Sequence, residues 1–280
     1  MFGVNHYYSH AAILSQAAGF VLPQRIRGEI QHSFWESDKD LSNLNPSKFS
    51  KKLFLWGGSF LSDNKKHLQR LGFEVIPIGD PFLYFLKITN MKAPVARYDL
   101  FLPKYINGLQ IQDRIKRHER ALSIIENISP ASLKVRLHHK DYANTLIQNI
   151  YKKRGIEILP GGEPSSLSWM EEYINQLNTL GTIYSEHLGS HILRASAMGI
   201  KSQLIGDSMR ESKLNSVFEL YSSVANFSNQ VEFARFQLGF NYVRSQEELR
   251  YVLELESQQR RFNKALIFPM FDLYCKLKSS

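Results

Sequence analysis

Short apolar runs alternate with amphipathic stretches along most of the chain, and the junctions between them repeat. Residues 5–18 carry small and apolar side chains and run into Gly19, ahead of the apolar Phe20, Val21 and Leu22. Residues 63–71 have a helical pattern that stops at Gly72, before the strand-like run 73–78. Residues 141–154 stop at Gly155, before 156–159, and residues 191–198 stop at Gly199, before 200–205. Glycine suits the left-handed position just past a helix end, and helix-to-strand connections this short belong to alternating α/β architecture. Further strands are predicted at 52–56, 133–137 and 182–185. Such short strands, largely β-branched or aromatic, suit parallel strands covered by helices on both faces.

In doubly wound sheets, ligands lie beyond the carboxyl ends of the strands. Six segments occupy such positions: 31–36, 57–59, 79–81, 138–141, 161–163 and 186–190. All six are rich in glycine, histidine or carboxylate. The chain divides on this reading into an N-terminal α/β set over residues 1–127, a Rossmann-like set over 128–210 and a helical C-terminal region over 211–280. Within that region, helices are expected near 217–228 and 245–264, and the apolar stretch 265–274 is expected to pack on a domain surface.

The segment 182–199 has the strongest chemical content. A strand that ends in a polar loop and feeds a helix presents unpaired N–H groups and the positive end of a helix dipole, which suits a phosphate. Gly189 and Ser190 stand at that helix start, and Glu186 and His187 stand ready beside it for a sugar or nucleotide; read as an ordinary turn, the segment has Ser190 as its N-cap. Gly161 and Gly162 let the backbone approach a base or ribose closely, and Glu163 supplies a hydroxyl-binding carboxylate. Asp141 is expected to cap a helix, with Lys140 and His139 in reach of a ligand phosphate. His138 and His139, read on an extended segment, point to opposite faces, which argues against a shared metal. His32 could orient or protonate a phosphate or sugar oxygen, with Glu36 or Asp38 as base or nucleophile.

Composition narrows the setting. An apolar share of 43% and a charged share of 22% are those of a globular chain, and Cys275 is the only cysteine. No run approaches the length of a membrane helix, and the first residues lack a secretory layout, so the chain is placed in the cytoplasm. A net charge of +9 favours anionic partners. The basic residues are dispersed in short clusters with no nucleic-acid module, so a charged sugar donor or an anionic membrane surface ranks above DNA or RNA. There is no GxGxxG, no GxxxxGK[ST] and no metal-ligand spacing.

The succession of Gln31-His32, Leu53-Phe-Leu-Trp-Gly57, Ile76-Pro-Ile-Gly-Asp-Pro-Phe-Leu-Tyr84, Gly155-Ile-Glu-Ile-Leu-Pro-Gly-Gly162 and Tyr184-Ser-Glu-His-Leu-Gly-Ser190 resembles bacterial surface-polysaccharide glycosyltransferases of GT-B type. The sialic-acid and Kdo transferases that use CMP-sugars are similar in style. The resemblance implies two Rossmann-like α/β domains, the N-terminal one reduced, with a helical C-terminal tail. It also implies metal-independent transfer of a sugar, preferably a CMP-linked acidic sugar, to a capsule or lipopolysaccharide glycan. On that pattern Lys140, Gly161, Gly162, Glu163, Glu186, His187, Gly189 and Ser190 bind the donor, and His32, Glu36 and Asp38 stand on the acceptor side. The expected partners are a nucleotide sugar and a free or lipid-linked glycan, with no separate cofactor and with peripheral contact to the inner membrane. Two rival readings use the same architecture: a sugar-nucleotide epimerase, and a binding subunit of polysaccharide assembly that has lost its chemistry.

Overall fold

The computed structural model describes residues 4–31, 51–90, 94–128, 132–205 and 227–255. Two all-parallel sheets carry the fold. The first has three strands in the order β1 (Glu29–Ile30), β2 (Lys52–Leu55), β3 (Glu74–Pro77). The second has five, in the order β6 (Glu157–Pro160), β5 (Leu133–Leu137), β4 (Tyr98–Leu102), β7 (Leu180–Ser185), β8 (Lys201–Leu204). This is the α/β class that the alternating pattern predicts.

A 3₁₀ segment, Val4–Ser9, leads into helix α1 (His10–Ala17). Helices α2 (Gly58–Arg70) and α3 (Pro81–Thr89) follow β2 and β3. The second sheet is served by α4 (Ile111–Ile128), α5 (His139–Tyr142), α6 (Thr145–Lys152), α7 (Trp169–Leu177) and α8 (Ser190–Ala197). Two further helices, α9 (Phe227–Gln237) and α10 (Gln246–Val252), close the described chain. Alternate residues of each strand enter different cores, as the two-residue strand period requires. Phe101, Val135, Leu137 and Tyr184 pack with Ala121, Leu122 and Ile125 of α4. Leu100, Leu102 and Ile183 pack with α7 and α8 in a larger core that also takes in Phe54, Trp56 and Ile78 from the first sheet and its strand ends, and Phe82 from α3. The two sheets therefore share one hydrophobic interior.

Three of the four helix–glycine–strand junctions form as expected. Gly72, Gly155 and Gly199 have φ of +89°, +69° and +80°, and a Cβ at any of them would meet open space. Backbone conformation, not crowding, demands glycine there. The fourth junction differs: Gly19 ends its helix with φ +81°, but residues 20–22 form no strand. The stretch 141–154 is also two helices rather than one, because the Asn144 side chain accepts from the N–H groups of Leu146 and Ile147 and starts α6 afresh.

Sheet membership changes between β3 and β4. Tyr98–Leu102, grouped by sequence with the N-terminal set up to residue 127, pairs with β5 and β7 at the centre of the second sheet. The C-terminal helices return to the first sheet. Gly239 packs so closely on Trp56 that a Cβ would overlap the Trp56 carbonyl, and Gly57, Gly58 and Gly79 face Tyr242, Gln237 and the Gly239 carbonyl. The post-strand segments 57–59 and 79–81 are thus explained by packing. Of the helices expected in the tail, the one near 245–264 begins as α10 at 246–252, and α9 at 227–237 is not among them; residues 206–226 and 256–280, with nearly all of the helix expected near 217–228 and the apolar stretch 265–274, lie outside the described residues. Among the described residues no helix is long and apolar enough to cross a membrane.

Candidate functional site at the carboxyl edge of the five-stranded sheet

The strand order β6-β5-β4-β7-β8 runs in one direction from β4 and in the other from β7. The chain after β4 leads to α4 on one face, and the chain after β7 leads to α8 on the other, so a crevice opens between them. In open α/β sheets ligands bind at such a reversal of strand order.

A hollow of ≈ 240 Å³, counting space open to solvent, lies there, lined by Lys104 and Tyr105 after β4, Arg114, Arg117 and His118 of α4, Asp141 of α5 and Glu186 after β7. The Lys104 N–H donates to Glu186 Oε2 at 2.8 Å, which ties the two post-strand loops together. Asp141 lies 3% exposed and accepts from Arg114 Nε at 2.8 Å and from the Arg114 Nη2 group. Its other oxygen stands 3.3 Å from His118 Nε2, while His118 Nδ1 meets the Tyr151 hydroxyl at 2.8 Å. Burial would raise the Asp141 pKa, but bonds from His118 and Arg114 outweigh it and hold the carboxyl below its ordinary value. Arg114 is therefore neutralised. Among the described residues Lys104 and Arg117 form no ion pair, and the Arg117 Nε is enclosed without a hydrogen-bond partner. With Arg114 and Asp141 paired, Lys104 and Arg117 face the same space as the one remaining carboxylate, Glu186, which leaves an excess of one positive charge and favours an oxyanion.

Next to the hollow stand the histidines. Burial pushes His187 down to about 4, with Lys104 and Arg117 adding to the effect, so it is neutral at physiological pH. The His187 and His191 rings meet edge to face at 4.7 Å, and His191 Nε2 lies 2.9 Å from the buried Ser185 Oγ. Burial drives His191 well below 6.5. On the other flank, Tyr105 stacks on His138 at 3.7 Å with 8° between the planes. Burial, then His139, pushes His138 down to about 4.

The structure changes several expectations. Asp141 is not a helix cap: His138 caps α5 by accepting from the Lys140 N–H, and Asp141 spends its oxygens on Arg114 and His118. The His138 and His139 rings do not point apart but lie 4.1 Å from each other, because the segment is a helix start rather than extended. Gly189, not Ser190, is the N-cap of α8. The imidazoles of His187 and His191 pack against Gly189, so that helix start presents two rings rather than a bare run of amides. Among the described residues no cluster of three or more metal-binding side chains occurs.

The other expected donor-side residues sit along the same edge. The Gly161 carbonyl accepts from Arg136 Nη2 at 2.6 Å and from Trp169 Nε1 at 3.1 Å. A Cβ on Gly161 would overlap the Leu137 carbonyl, and Gly162, at φ +73°, lies against Trp169. Glu163 is exposed and accepts from Ser165 Oγ at 3.0 Å, and Lys140 is exposed. His32, Glu36 and Asp38 lie outside the described residues. Sequence reasoning missed Lys104, Arg114, Arg117, Arg136 and Arg194. The first follows a strand end, the signal used elsewhere, but the apolar–polar pattern predicts no strand at 98–102.

No family model matches the sequence, and no curated protein matches it. Among solved structures, the chain is similar to an S. aureus MnaA–UDP co-structure at 14% identity and a TM-score of 0.41, covering 74% of this chain and 61% of that one. It is also similar to a candidate UDP-N-acetylglucosamine 2-epimerase from Listeria monocytogenes at 12% identity and a TM-score of 0.36, covering 70% and 61%. The chain thus spans about three fifths of the length of either, and neither is described as a sialyl or Kdo transferase.

Proposed function

We propose that this protein is an enzyme of nucleotide sugars that holds the nucleotide's phosphate in the hollow where the strand order reverses. The observation that carries the reading is the excess of positive charge at that point, where Lys104 and Arg117 form no ion pair among the described residues and Glu186 offsets only one of them. The hollow, of ≈ 240 Å³, includes space open to solvent along the sheet edge. It suits a phosphate group, with the rest of the ligand lying along the open edge. Glu186, anchored by the Lys104 N–H, lines the same hollow on the side where ribose hydroxyls would lie. Neutral His187 offers one donor and one acceptor without opposing the cations. Preorganised cations here stabilise the charge that develops as a nucleotide leaves.

Two reactions fit this binding mode. In transfer, a sugar, preferably an acidic sugar carried on CMP, passes to a surface glycan. In epimerase-like conversion, the sugar stays on its nucleotide and no acceptor is needed. One observation favours conversion: α9 and the chain after it cover the ends of β2 and β3, where a glycan acceptor would otherwise approach. Proton NMR of the protein incubated with UDP-N-acetylglucosamine or CMP-sialic acid separates the cases. A new sugar signal without acceptor supports conversion. Nucleotide release that depends on added glycan supports transfer. No change in either mixture, with no nucleotide bound, overturns the reading and leaves a non-catalytic assembly subunit.

A further inference from the structure

Two arginines sit on the α7–α8 side of the second sheet, and their surroundings differ in one respect. Arg194, 2% exposed, lies over the Trp56 and Phe82 rings and holds both oxygens of Asp80, at 2.8 and 3.0 Å. Arg136 likewise lies over aromatic rings, 5.6 Å from the Trp169 centroid and 5.0 Å from that of Tyr173. Yet its only hydrogen bond among the described residues is to the neutral Gly161 carbonyl. Its Nε is enclosed and without a hydrogen-bond partner. Glu172, whose charge acts on it, forms no ion pair with it among the described residues and instead accepts from Ser168 Oγ. A guanidinium held away from water normally has a carboxylate or another anion beside it, because an uncompensated charge there is costly.

Arg136 is nonetheless held firmly. The Gly161 carbonyl that it grips also accepts from Trp169 Nε1, and the Tyr8 ring packs on Trp169 at 4.6 Å. Tyr8 and Ser9 both adopt left-handed backbone, at φ +57° and +62°, a conformation that non-glycine residues hold only when their surroundings impose it. That backbone is fixed by Tyr8 N–H on the Pro164 carbonyl and by Ser9 Oγ on the Leu167 carbonyl at 2.8 Å. Arg136 itself remains partly accessible. It lies on the same edge as the hollow, linked to it through the touching rings of His187 and His191: the charges of Lys104 and Arg117 act on the first and that of Arg136 on the second.

We infer that Arg136 is a second anion-binding residue, receiving through the accessible edge of its guanidinium an oxyanion of the same ligand whose phosphate occupies the hollow. The recognised chemistry is an acidic group separate from that phosphate: either the carboxylate of an acidic sugar or a second phosphate. This rests on the proposed function for the identity of the ligand but not for the anion site itself.

Isothermal titration with inorganic pyrophosphate, CMP, UDP and CMP-sialic acid tests it on wild type, Arg136→Gln and Arg136→Lys, each first checked for an unchanged thermal transition. Arg136→Gln should leave CMP affinity unchanged and lower affinity at least about tenfold for ligands bearing a second acidic group, the scale of one charge-assisted hydrogen bond. Loss for CMP-sialic acid alone assigns a carboxylate, and loss for UDP and pyrophosphate assigns a second phosphate. Arg136→Lys should recover part of the loss, since it keeps the charge. If Arg136→Gln does not unfold cooperatively, the comparison is made with Arg136→Lys, which must then weaken the doubly acidic ligands but not CMP. Equal weakening of CMP and of the doubly acidic ligands, or no weakening of any, overturns the inference. Should wild type bind pyrophosphate through Arg136 but no nucleotide, the anion site stands and the nucleotide-sugar reading falls. Binding of none of the four overturns both.

Discussion

Removing the Asp80 carboxylate should cost more stability than any surface change in this protein. Asp80 is fully buried, Arg194 nearly so, and the two form a pair at 2.8 Å that joins α3 of the first sheet to α8 of the second. Asp80 also accepts from the Phe82 N–H at 3.0 Å, capping α3. Breaking a buried pair by removing one partner leaves an uncompensated charge, at about 3–5 kcal/mol, and the lost cap adds about 1 kcal/mol. Asp80→Ala should therefore lose about 4–6 kcal/mol, a large share of the roughly 5–15 kcal/mol that holds a folded protein together. Asp80→Asn keeps a capping oxygen and should lose about 3–5 kcal/mol, as should Arg194→Met, which leaves the carboxylate alone. Combined, Asp80→Asn and Arg194→Met remove both charges, and the double variant should be far more stable than the sum of its parts. A coupling of at least about 2 kcal/mol is expected from the double-mutant cycle. Urea unfolding at constant slope measures it. Additivity within about 0.5 kcal/mol, or a single-variant cost no greater than that, would refute the assignment of this pair as the tie between sheets.

Stability should also depend on pH through His187 and His138, both held near 4 in the folded chain. Between about 6.5 and 4 the unfolded chain binds protons that these folded rings do not, so stability is full above about 6.5 and falls as pH drops toward 4, by at most about 1.4 kcal/mol per pH unit for His187 and by less for the partly exposed His138. A thermal midpoint flat across that range, or one that slopes equally after His187→Gln, would contradict this. At the glycines, Gly155→Ala meets open space and should cost only the left-handed conformation, about 1–2 kcal/mol. Gly239→Ala must displace the Trp56 carbonyl and should cost clearly more in the same denaturant titration. Equal costs would mean that α9 and its following turn do not clamp the first sheet.

The alternation of strands and helices was legible because it is local: a glycine after a helix, a β-branched run after the glycine. β4 was not, and Asp99 explains why. Its carboxylate accepts from the Thr182 N–H at 2.7 Å across an irregular stretch of the β4–β7 ladder, so a polar residue stands where the pattern leads one to expect an apolar one, and Pro103 closes the run like a linker. Missing β4 hid Lys104 and with it the point where the strand order reverses. Glu186 and His187 were legible as post-strand polar residues, yet the cations around them were not, since Arg114 and Arg117 sit on a long amphipathic helix and read as its solvated face. Asp80 and Arg194 meet across 114 residues, a separation at which spacing carries no signal. Gly57, Gly58 and Gly79 were read as ligand loops because nothing local reveals that residues 237–243 return to cover them.

The hollow at the strand-order reversal is tested most directly by titrating CMP, UDP and GDP into wild type and into the Lys104→Gln/Arg117→Gln double variant, with folding of the variant confirmed by its thermal transition. The account predicts that wild type binds at least one of the three and that the variant loses at least about tenfold, as expected when charge-assisted bonds to phosphate are removed. Undiminished nucleotide affinity in the folded double variant would contradict it, as would a wild type that binds none of them.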